Sequence, residues 1–200
     1  MALLLSLGGF LLGAMPFSIW LGRLVAGRDI RAYGDHNPGA TNVLRAAGFA
    51  PFALALLLDI SKGALPVGLA YHVLGIQDWQ IVPIALAPPL GHAFSPFLKW
   101  RGGKAIAATM GVWIGLTIWI VPLVGLILLV IWSLLLRPSG WAVLLTLAGL
   151  LLFLLIWDPR PVFLAVLGGH VLLLVWKQRQ DLAQKPELRL GRGREQGSDQ

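Results

Sequence analysis

The sequence predicts an all-α integral membrane protein, a bundle of about seven transmembrane helices, and its composition and the spacing of its apolar stretches carry that prediction. Hydrophobic residues make up 57% of the 200 residues, charged residues make up 12%, and the mean hydropathy is +0.77. Soluble domains are much less apolar than this. Since one membrane helix needs roughly 20 apolar residues, the chain has room for six or seven spans with short connections.

The apolar stretches follow one another closely along the chain. Numbered as spans one to seven, they cover residues 2–22, 51–74, 80–98, 105–120, 121–136, 140–157 and 161–176. Span one has no basic N-terminal region and no cleavage site, so we expect it to be retained. Spans four and five are separated by a predicted turn near Val121-Pro122, and the alternative is one long kinked helix and six spans. Span three contains Pro83, Pro88, Pro89 and Pro96, which predict a broken or distorted helix.

The positions of the basic residues predict the orientation of the bundle. Of the 16 Lys and Arg residues, 14 lie after spans one, three, five or seven, and the exceptions are Lys62 and Arg160. The positive-inside rule therefore predicts seven spans, with the N-terminus outside and the C-terminus in the cytoplasm. We expect residues 1–180 to form the transmembrane domain. Residues 181–200 should form a partly disordered cytoplasmic tail whose basic residues contact anionic lipid.

A polar segment with two glycines, residues 34–45, follows span one. Gly34 and Gly39 permit a positive φ, so that successive backbone N–H groups can converge on an anion. Three side chains of the segment add hydrogen-bond donors at near-helical spacing: Thr41, Asn42 and Arg45. Taken alone, the segment is more typical of an ordinary connection between helices with a helix cap.

A second polar segment, residues 91–104, ends in Gly102-Gly103-Lys104 before a helix. Such a turn offers phosphate free N–H groups, the helix dipole and an ammonium group. It is not a Walker loop, and a flexible turn with a snorkelling lysine is the alternative. His92 is a candidate base, or else a buried histidine that is hydrogen-bonded to a loop carbonyl.

Span two carries one acidic and one basic side chain, Asp59 and Lys62, three residues apart on one helical face. Charges at such a depth are costly and are usually paired or functional. We expect a structural ion pair first and a direct contact with substrate second.

Several classes of site are excluded or disfavoured by the residues present. The chain has no cysteine, so thiolate metal sites and cysteine nucleophiles are excluded. No His-x4-Asp or Gly-x-Ser-x-Gly motif occurs, and the acidic residues are too scattered for a two-metal site. The net charge of +7 lies at one membrane face, which argues against nucleic acid. We expect no metal and no cofactor, and a phosphate-bearing ligand at the cytoplasmic face.

The motifs resemble those of a known family, the bacterial acyl-phosphate:glycerol-3-phosphate acyltransferases. Residues 34–45 resemble its first signature, residues 57–63 the segment after it, and Gly91-His92-x-Phe94 with Gly102-Gly103-Lys104 the second signature. The resemblance covers residues 1–180. It implies a multi-pass inner-membrane enzyme that transfers a fatty acyl group from acyl phosphate to the 1-hydroxyl of glycerol 3-phosphate. We expect this enzyme to be a monomer. The products are lysophosphatidic acid and phosphate.

The chain departs from the family pattern at three places. Asp35-His36 stands where the family has Ser-Gly, and Pro38 stands where it has Ile. The third signature, roughly His-Arg-x-Asn-Ile, is reduced to Gln178-Arg179-Gln180-Asp181-Leu182. An anionic Asp35 would repel a phosphate unless it is protonated or paired with an arginine.

The predicted site has a catalytic set and a substrate-binding set. Lys104 and Arg45 should hold phosphate, while the hydroxyl proton passes to a substrate phosphate oxygen, which we favour, or to His92 or Asp35. Substrate binding is predicted for Asp35, Asn37, Gly39, Thr41, Asn42, Gly102, Gly103 and Arg179. The acyl chain should lie in an apolar groove between spans. Alternative functions are a transporter or channel for a phosphorylated solute, or a membrane scaffold without catalytic activity.

Overall fold

The computed structural model describes residues 1–189, and helices dominate this part of the chain. Short 3-10 turns at Ile30–Ala32 and Pro96–Leu98 and a π turn at Leu69–Val73 adjoin them. The helices are α1 (Ala2–Ala14), α2 (Phe17–Ala26), α3 (Ala40–Ala47), α4 (Phe49–Gly68), α5 (Ile81–Ala93), α6 (Ile106–Thr117), α7 (Ile120–Leu135), α8 (Ser139–Trp157), α9 (Pro161–Lys177) and α10 (Arg179–Leu182).

Four helical segments are long and apolar enough to cross a membrane: Ala2–Ala26, Phe49–Val73, Ile81–Leu98 and Ser139–Trp157. The other apolar helices, α6, α7 and α9, have 12, 16 and 17 residues. A helix of 12 residues extends only about 18 Å. The predicted helical membrane fold is therefore confirmed, with four candidate spans by helix length in residues 1–189.

Proline breaks span three at only one of the places that the sequence pattern offered. Helix α5 runs unbroken through Pro88 and Pro89 and ends at Ala93, before the 3-10 turn that begins at Pro96. The prediction of a broken third span is thus confirmed near residues 94–95, whereas Pro88 and Pro89 do not break the helix. Close packing against α1 stabilises this helix, because Gly9 lies against the ring of Pro88. The unpredicted break lies in span one, where α1 ends at Ala14 and α2 begins after Pro16. Proline has no N–H to continue the hydrogen-bond ladder of α1.

The turn between α6 and α7 lies close to the predicted position. It falls at Ile118-Trp119, where Ile118 has a φ of +58°. Pro122 lies in the first turn of α7, where a helix does not use the N–H group that proline lacks. The boundary is thus a few residues before Pro122, and the two helices are separate.

Small residues allow two pairs of helices to pack backbone against backbone. A Cβ atom at Gly13 of α1 would collide with the Pro88 carbonyl group of α5. A Cβ atom at Gly111 of α6 would likewise collide with the Ile60 carbonyl oxygen of α4. Such contacts are typical of helix packing in membranes, where there is little hydrophobic drive to bring helices together.

Each end of the bundle has its own polar contacts. At one end, Asp181 after α9 accepts hydrogen bonds from the Ser139 hydroxyl and from the Gly140 N–H at the start of α8. At the other end, Arg160 before α9 donates to the hydroxyl of Tyr71 after α4 at 2.8 Å. The helices therefore alternate in direction, and α6 and α7 are antiparallel.

The segment after α10 returns to the start of α8. Strand β1 (Leu136–Arg137) pairs antiparallel with strand β2 (Glu187–Leu188), with Arg137 opposite Glu187. Disorder was predicted beyond about Lys185, whereas residues 187 and 188 form this strand pair. The rest of the predicted tail, residues 190–200, lies outside the described residues.

Candidate active site

In the first polar segment, two side chains lie close against the backbone of Gly34. Gly34 has a φ of +57°, and a Cβ atom there would collide with the Arg45 guanidinium group and the Asn42 amide. Ile30 and Val43, both fully buried, anchor the segment in a small apolar cluster with α2 and α4. Gly34 is thus required by geometry. Gly39 is extended at a φ of −115°, so its predicted positive φ is wrong.

A chain of side-chain hydrogen bonds orders this segment. Arg45 donates to the Asn42 Oδ1 atom at 2.7 Å. The Asn42 Nδ2 group donates to the Asn37 carbonyl oxygen at 2.8 Å and to Asp35 Oδ1 at 3.1 Å. The sequence interval of three between Asn42 and Arg45 places them on one face of α3, as predicted.

Lys104 lies between two carboxylates. Its Nζ atom is 3.1 Å from Asp35 Oδ2 and 3.2 Å from Asp181 Oδ2. Arg45 is 4.0 Å from Asp35 Oδ1, so two cations converge on this one carboxylate. Burial alone would raise the pKa of Asp35, but the hydrogen bond and charge of Lys104, aided by Asn37 and Asn42, lower it overall. Asp35 is therefore paired with a cation, and the closer of its two cations is a lysine rather than the arginine named from the sequence.

Asp181 belongs to this cluster, although it was not among the predicted site residues. Its Oδ2 atom accepts from Lys104, from the Ser139 hydroxyl at 2.8 Å and from the Gly140 N–H at 3.0 Å. The signal in the sequence was the replacement of the family's asparagine by aspartate. Replacing an asparagine by Asp181 indicated the loss of a hydrogen-bond donor. The structure shows instead that the Asp181 carboxylate holds Lys104, the predicted catalytic lysine.

The glycine turn before Lys104 is bound to the end of α5. The Gly102 N–H donates to the Ala93 carbonyl oxygen at 3.2 Å, and the Gly103 N–H donates to that of His92 at 3.0 Å. The prediction that these two N–H groups bind phosphate is therefore wrong for this conformation, because both are already used. Their role is to place Lys104.

Lys177 at the end of α9 also holds the glycine turn. Its Nζ atom donates to the carbonyl oxygens of Ala93 and Gly102 at 2.9 and 3.1 Å and lies over the ring of Phe94. This contact joins the second polar segment to α9. No motif in the sequence indicated it.

The buried charges in α4 form a separate cluster beneath the site. Lys62 Nζ is 2.6 Å from Asp59 Oδ1, and each side chain is 2% exposed or less. The Ser18 hydroxyl of α2 donates to Asp59 Oδ2 at 2.7 Å. His92 lies here, with Nδ1 at 3.8 Å from Asp59 Oδ1, rather than within the Asp35–Lys104–Asp181 group. The expected ion pair is thus formed, and it links α2, α4 and α5.

Two of the predicted binding residues make no side-chain contact with the Asp35–Lys104–Asp181 group. Arg179 donates to the Trp176 carbonyl oxygen and its guanidinium group lies over the Trp176 ring, 4.9 Å from the centroid. Thr41 is exposed on α3. Their roles stay predictions. In residues 1–189, no group of three or more His, Asp or Glu side chains is placed to hold a metal ion.

Comparison with known proteins decides the family. The sequence model described as glycerol-3-phosphate acyltransferase matches residues 3–185. The chain belongs to the glycerol-3-phosphate acyltransferase family. Among its curated relatives, the glycerol-3-phosphate acyltransferase of Rubrobacter xylanophilus is 38% identical over 183 residues, which are 89% of this chain and 88% of the relative. That of Synechococcus sp. strain JA-3-3Ab is 37% identical over 179 residues, covering 89% and 87%.

Solved structures of a glycerol-3-phosphate acyltransferase have the same fold. The crystal structure of the integral membrane enzyme PlsY in its glycerol 3-phosphate form is 30% identical, with a TM-score of 0.78, over 91% of this chain and 90% of that one. Its lysophosphatidic acid form gives a TM-score of 0.79 at 29% identity over the same shares. The family and its membrane fold, expected from the motifs, are both confirmed.

Proposed function

We propose that this glycerol-3-phosphate acyltransferase transfers a fatty acyl group from acyl phosphate to the 1-hydroxyl of glycerol 3-phosphate. The family match and the curated relatives support the enzyme class and the acceptor. The acyl-phosphate donor rests on the resemblance of the signatures, and so do the choice of the 1-hydroxyl, the cell inner membrane as location and a monomeric state.

One observation supports the site above all others. Two cations, Lys104 at 3.1 Å and Arg45 at 4.0 Å, converge on the oxygens of the Asp35 carboxylate, and the Asn42 amide donates to it. A carboxylate has the charge and the acceptor oxygens of a substrate phosphate, so these donors are arranged as an anion site requires. A bound phosphate would replace or share the partners of Asp35.

The chemistry needs positioning and charge stabilisation more than a protein nucleophile. The 1-hydroxyl oxygen attacks the acyl carbonyl carbon, the bond from that carbon to the phosphate oxygen breaks, and inorganic phosphate leaves. The hydroxyl proton passes to an oxygen of a substrate phosphate. Lys104 and Arg45 stabilise the negative charge that develops. His92 is buried beside Asp59, which supports the choice of a substrate oxygen as the acceptor of the proton.

The acyl chain has an apolar cavity within reach of Lys104. This cavity of about 70 Å³ lies between α6, α7 and α8, and its walls include Met110, Leu126 and Leu147. Ile106, which also lines it, is two residues after Lys104. The cavity is too small for a whole fatty acyl chain, so it would hold only part of one, beside the start of the helix that follows Lys104.

We further propose seven crossings, with the active site facing the cytoplasm. The antiparallel arrangement of α6 and α7 supports an odd number. If they made one crossing, Ser139 would lie at the opposite end from Lys104, whereas Asp181 contacts both of them. The end that contains Lys104 also holds most of the basic residues, as the positive-inside rule expects of the cytoplasmic face.

One assay tests the reaction. Purified protein in lipid vesicles is given palmitoyl phosphate and labelled glycerol 3-phosphate, and we expect labelled lysophosphatidate without added acyl-CoA or acyl carrier protein. Lys104→Ala and Arg45→Ala should each lower kcat/KM about a hundredfold or more, as losses of charge-stabilising donors do. Leu188→Ala, an exposed residue outside the site, is the control.

Four results would contradict the proposal. Near-normal activity of both variants would remove the site assignment. Product from acyl-CoA alone would remove the acyl-phosphate donor. Uptake of unchanged glycerol 3-phosphate into the vesicles, with no product, would favour a transporter, and neither product nor uptake would favour a scaffold.

A further inference from the structure

A polar pocket opens beside the Asp35–Lys104–Asp181 group. It has a volume of about 540 Å³ and lies between the end of α3, the start of α8 and the strand pair β1–β2. Its lining includes four cations, Arg45, Arg137, Lys185 and Arg189, and one acid, Glu187. We call this pocket the basic vestibule. The strand pair builds one wall, because it holds Arg137 next to the segment that carries Lys185 and Arg189.

The charges of the basic vestibule are not balanced within the described chain. No ion pair to Arg137, Lys185 or Arg189 forms among residues 1–189, and all three side chains are exposed. Some exposed arginines do form ion pairs, Arg31 with Asp29 and Arg160 with Asp158, whereas Arg28 and Arg101 form none among residues 1–189. Four cations against one carboxylate therefore create a positive potential in a concave surface, which raises the local concentration of anions.

Two residues connect the basic vestibule with the candidate active site. Arg45 lines the vestibule and approaches Asp35. Ser139 lines it too, and its hydroxyl donates to Asp181, which holds Lys104. Arg45 and Ser139 thus belong both to the lining of the vestibule and to the contacts of the Asp35–Lys104–Asp181 group.

The lining favours one of the two phosphate-bearing substrates. None of the residues around the basic vestibule is a large hydrophobic side chain, so it has no surface for a fatty acyl chain. The apolar cavity at Ile106 lies within the helix bundle instead. A small water-soluble phosphate monoester suits the vestibule, and an acyl phosphate does not.

We propose that the basic vestibule captures the phosphate group of the water-soluble acceptor, glycerol 3-phosphate, before it reaches Lys104. This inference rests on the proposed function for the identity of the acceptor. Arg137, Lys185 and Arg189 act through long-range attraction and initial binding, and Arg45 passes the phosphate on to the reaction site.

The kinetic test uses charge-neutralising variants. The triple variant Arg137→Gln, Lys185→Gln, Arg189→Gln should lower kcat/KM for glycerol 3-phosphate about tenfold or more at low salt, the lower end of electrostatic steering effects. The difference should shrink as the salt concentration rises, because salt screens exposed charges. The kcat and the KM for palmitoyl phosphate should not change.

A matched control removes the same charge elsewhere. The triple variant Arg28→Gln, Lys99→Gln, Arg101→Gln alters three exposed cations outside the vestibule. It should keep kcat/KM for glycerol 3-phosphate within about twofold of the wild type. Equal losses in the two triple variants would overturn the proposal, since overall charge would explain both. A loss confined to the KM of palmitoyl phosphate would also overturn it.

Equilibrium binding separates this proposal from the reaction itself. Labelled glycerol 3-phosphate should bind the purified wild-type protein about tenfold or more tightly than the vestibule variant, with inorganic phosphate as competitor. If binding differs in this way and no acyl transfer occurs, the proposed role of the vestibule is supported and the proposed reaction is contradicted. If acyl transfer proceeds with unchanged kcat/KM in the vestibule variant, the proposed role of the vestibule is contradicted and the proposed reaction is supported. No binding and no transfer would overturn both.

Discussion

At the scale of single residues, the two carboxylates beside Lys104 compete with a substrate phosphate for the same ammonium group. Asp35 and Asp181 lie 3.1 and 3.2 Å from Lys104 Nζ. A phosphate that binds Lys104 must displace or tolerate this negative charge. The affinity of the acceptor is therefore set by these two residues together with the cations.

Removing the charge of Asp181 should improve binding of the acceptor. Asp181→Asn keeps an oxygen for the Ser139 and Gly140 hydrogen bonds but releases Lys104. An ion pair near the surface contributes about 0.2–1 kcal/mol, so we expect the KM for glycerol 3-phosphate to fall by up to about fivefold in initial-rate measurements. Asp158→Asn, at the far end of the bundle, is the control and should have the wild-type KM. A higher KM in Asp181→Asn would show that the carboxylate helps binding.

The lowered pKa of Asp35 leads to a prediction about the pH dependence of the reaction rate. A carboxyl group whose pKa is lower in the folded protein stabilises the fold above its unfolded-state pKa of about 3.9, and this contribution is lost as the pH falls through the folded-state pKa. Asp35 should therefore stay ionised above about pH 5. The pH–rate profiles of wild type and Asp35→Asn should have the same shape between about pH 5 and 8. A limb present only in the wild type would contradict this.

At the scale of helices, close backbone packing between α4 and α6 should limit what residue 111 can be. Gly111→Ala places a methyl group against the Ile60 carbonyl oxygen, and overpacking of this kind costs about 1–3 kcal/mol. Each kcal/mol lowers the Tm of a chain this long by about 2–4 °C. Gly168→Ala in α9 is the control, because its Cβ atom would meet nothing within 4 Å. Thermal unfolding measured in detergent should show a lower Tm for Gly111→Ala and an unchanged Tm for Gly168→Ala.

Helix positions were predictable from the sequence, whereas the contacts at their ends were not. Hydropathy is a local property, so the seven apolar stretches and the fold class could be predicted. The continuity of α5 through Pro88 depends on packing against Gly9 and Gly13 of α1. The roles of Asp181 and Lys177 depend on partners more than 70 residues away in the sequence. No local pattern contains that information.

At the scale of the whole molecule, the proposed orientation can be tested because the chain has no cysteine. Single substitutions Asp78→Cys, between α4 and α5, and Gln180→Cys, in α10, place one exposed thiol at each end. In intact cells or spheroplasts, a membrane-impermeant maleimide should label Asp78→Cys only. Gln180→Cys should react after permeabilisation. The reverse labelling would contradict the proposed orientation, and labelling of both from outside would contradict an odd number of crossings between them.

The contact between Lys104 and Asp181 also has a consequence for biosynthesis. Its two partners are 77 residues apart in the sequence. At a translation rate of about 5–20 residues per second, the lysine is made roughly 4–15 seconds before its second carboxylate. During that interval, of the two carboxylates that contact the ammonium group, only Asp35 has been made, and the strand pair has not formed. The end of the bundle that holds Lys104 is therefore completed last, when the segment after α9 leaves the ribosome.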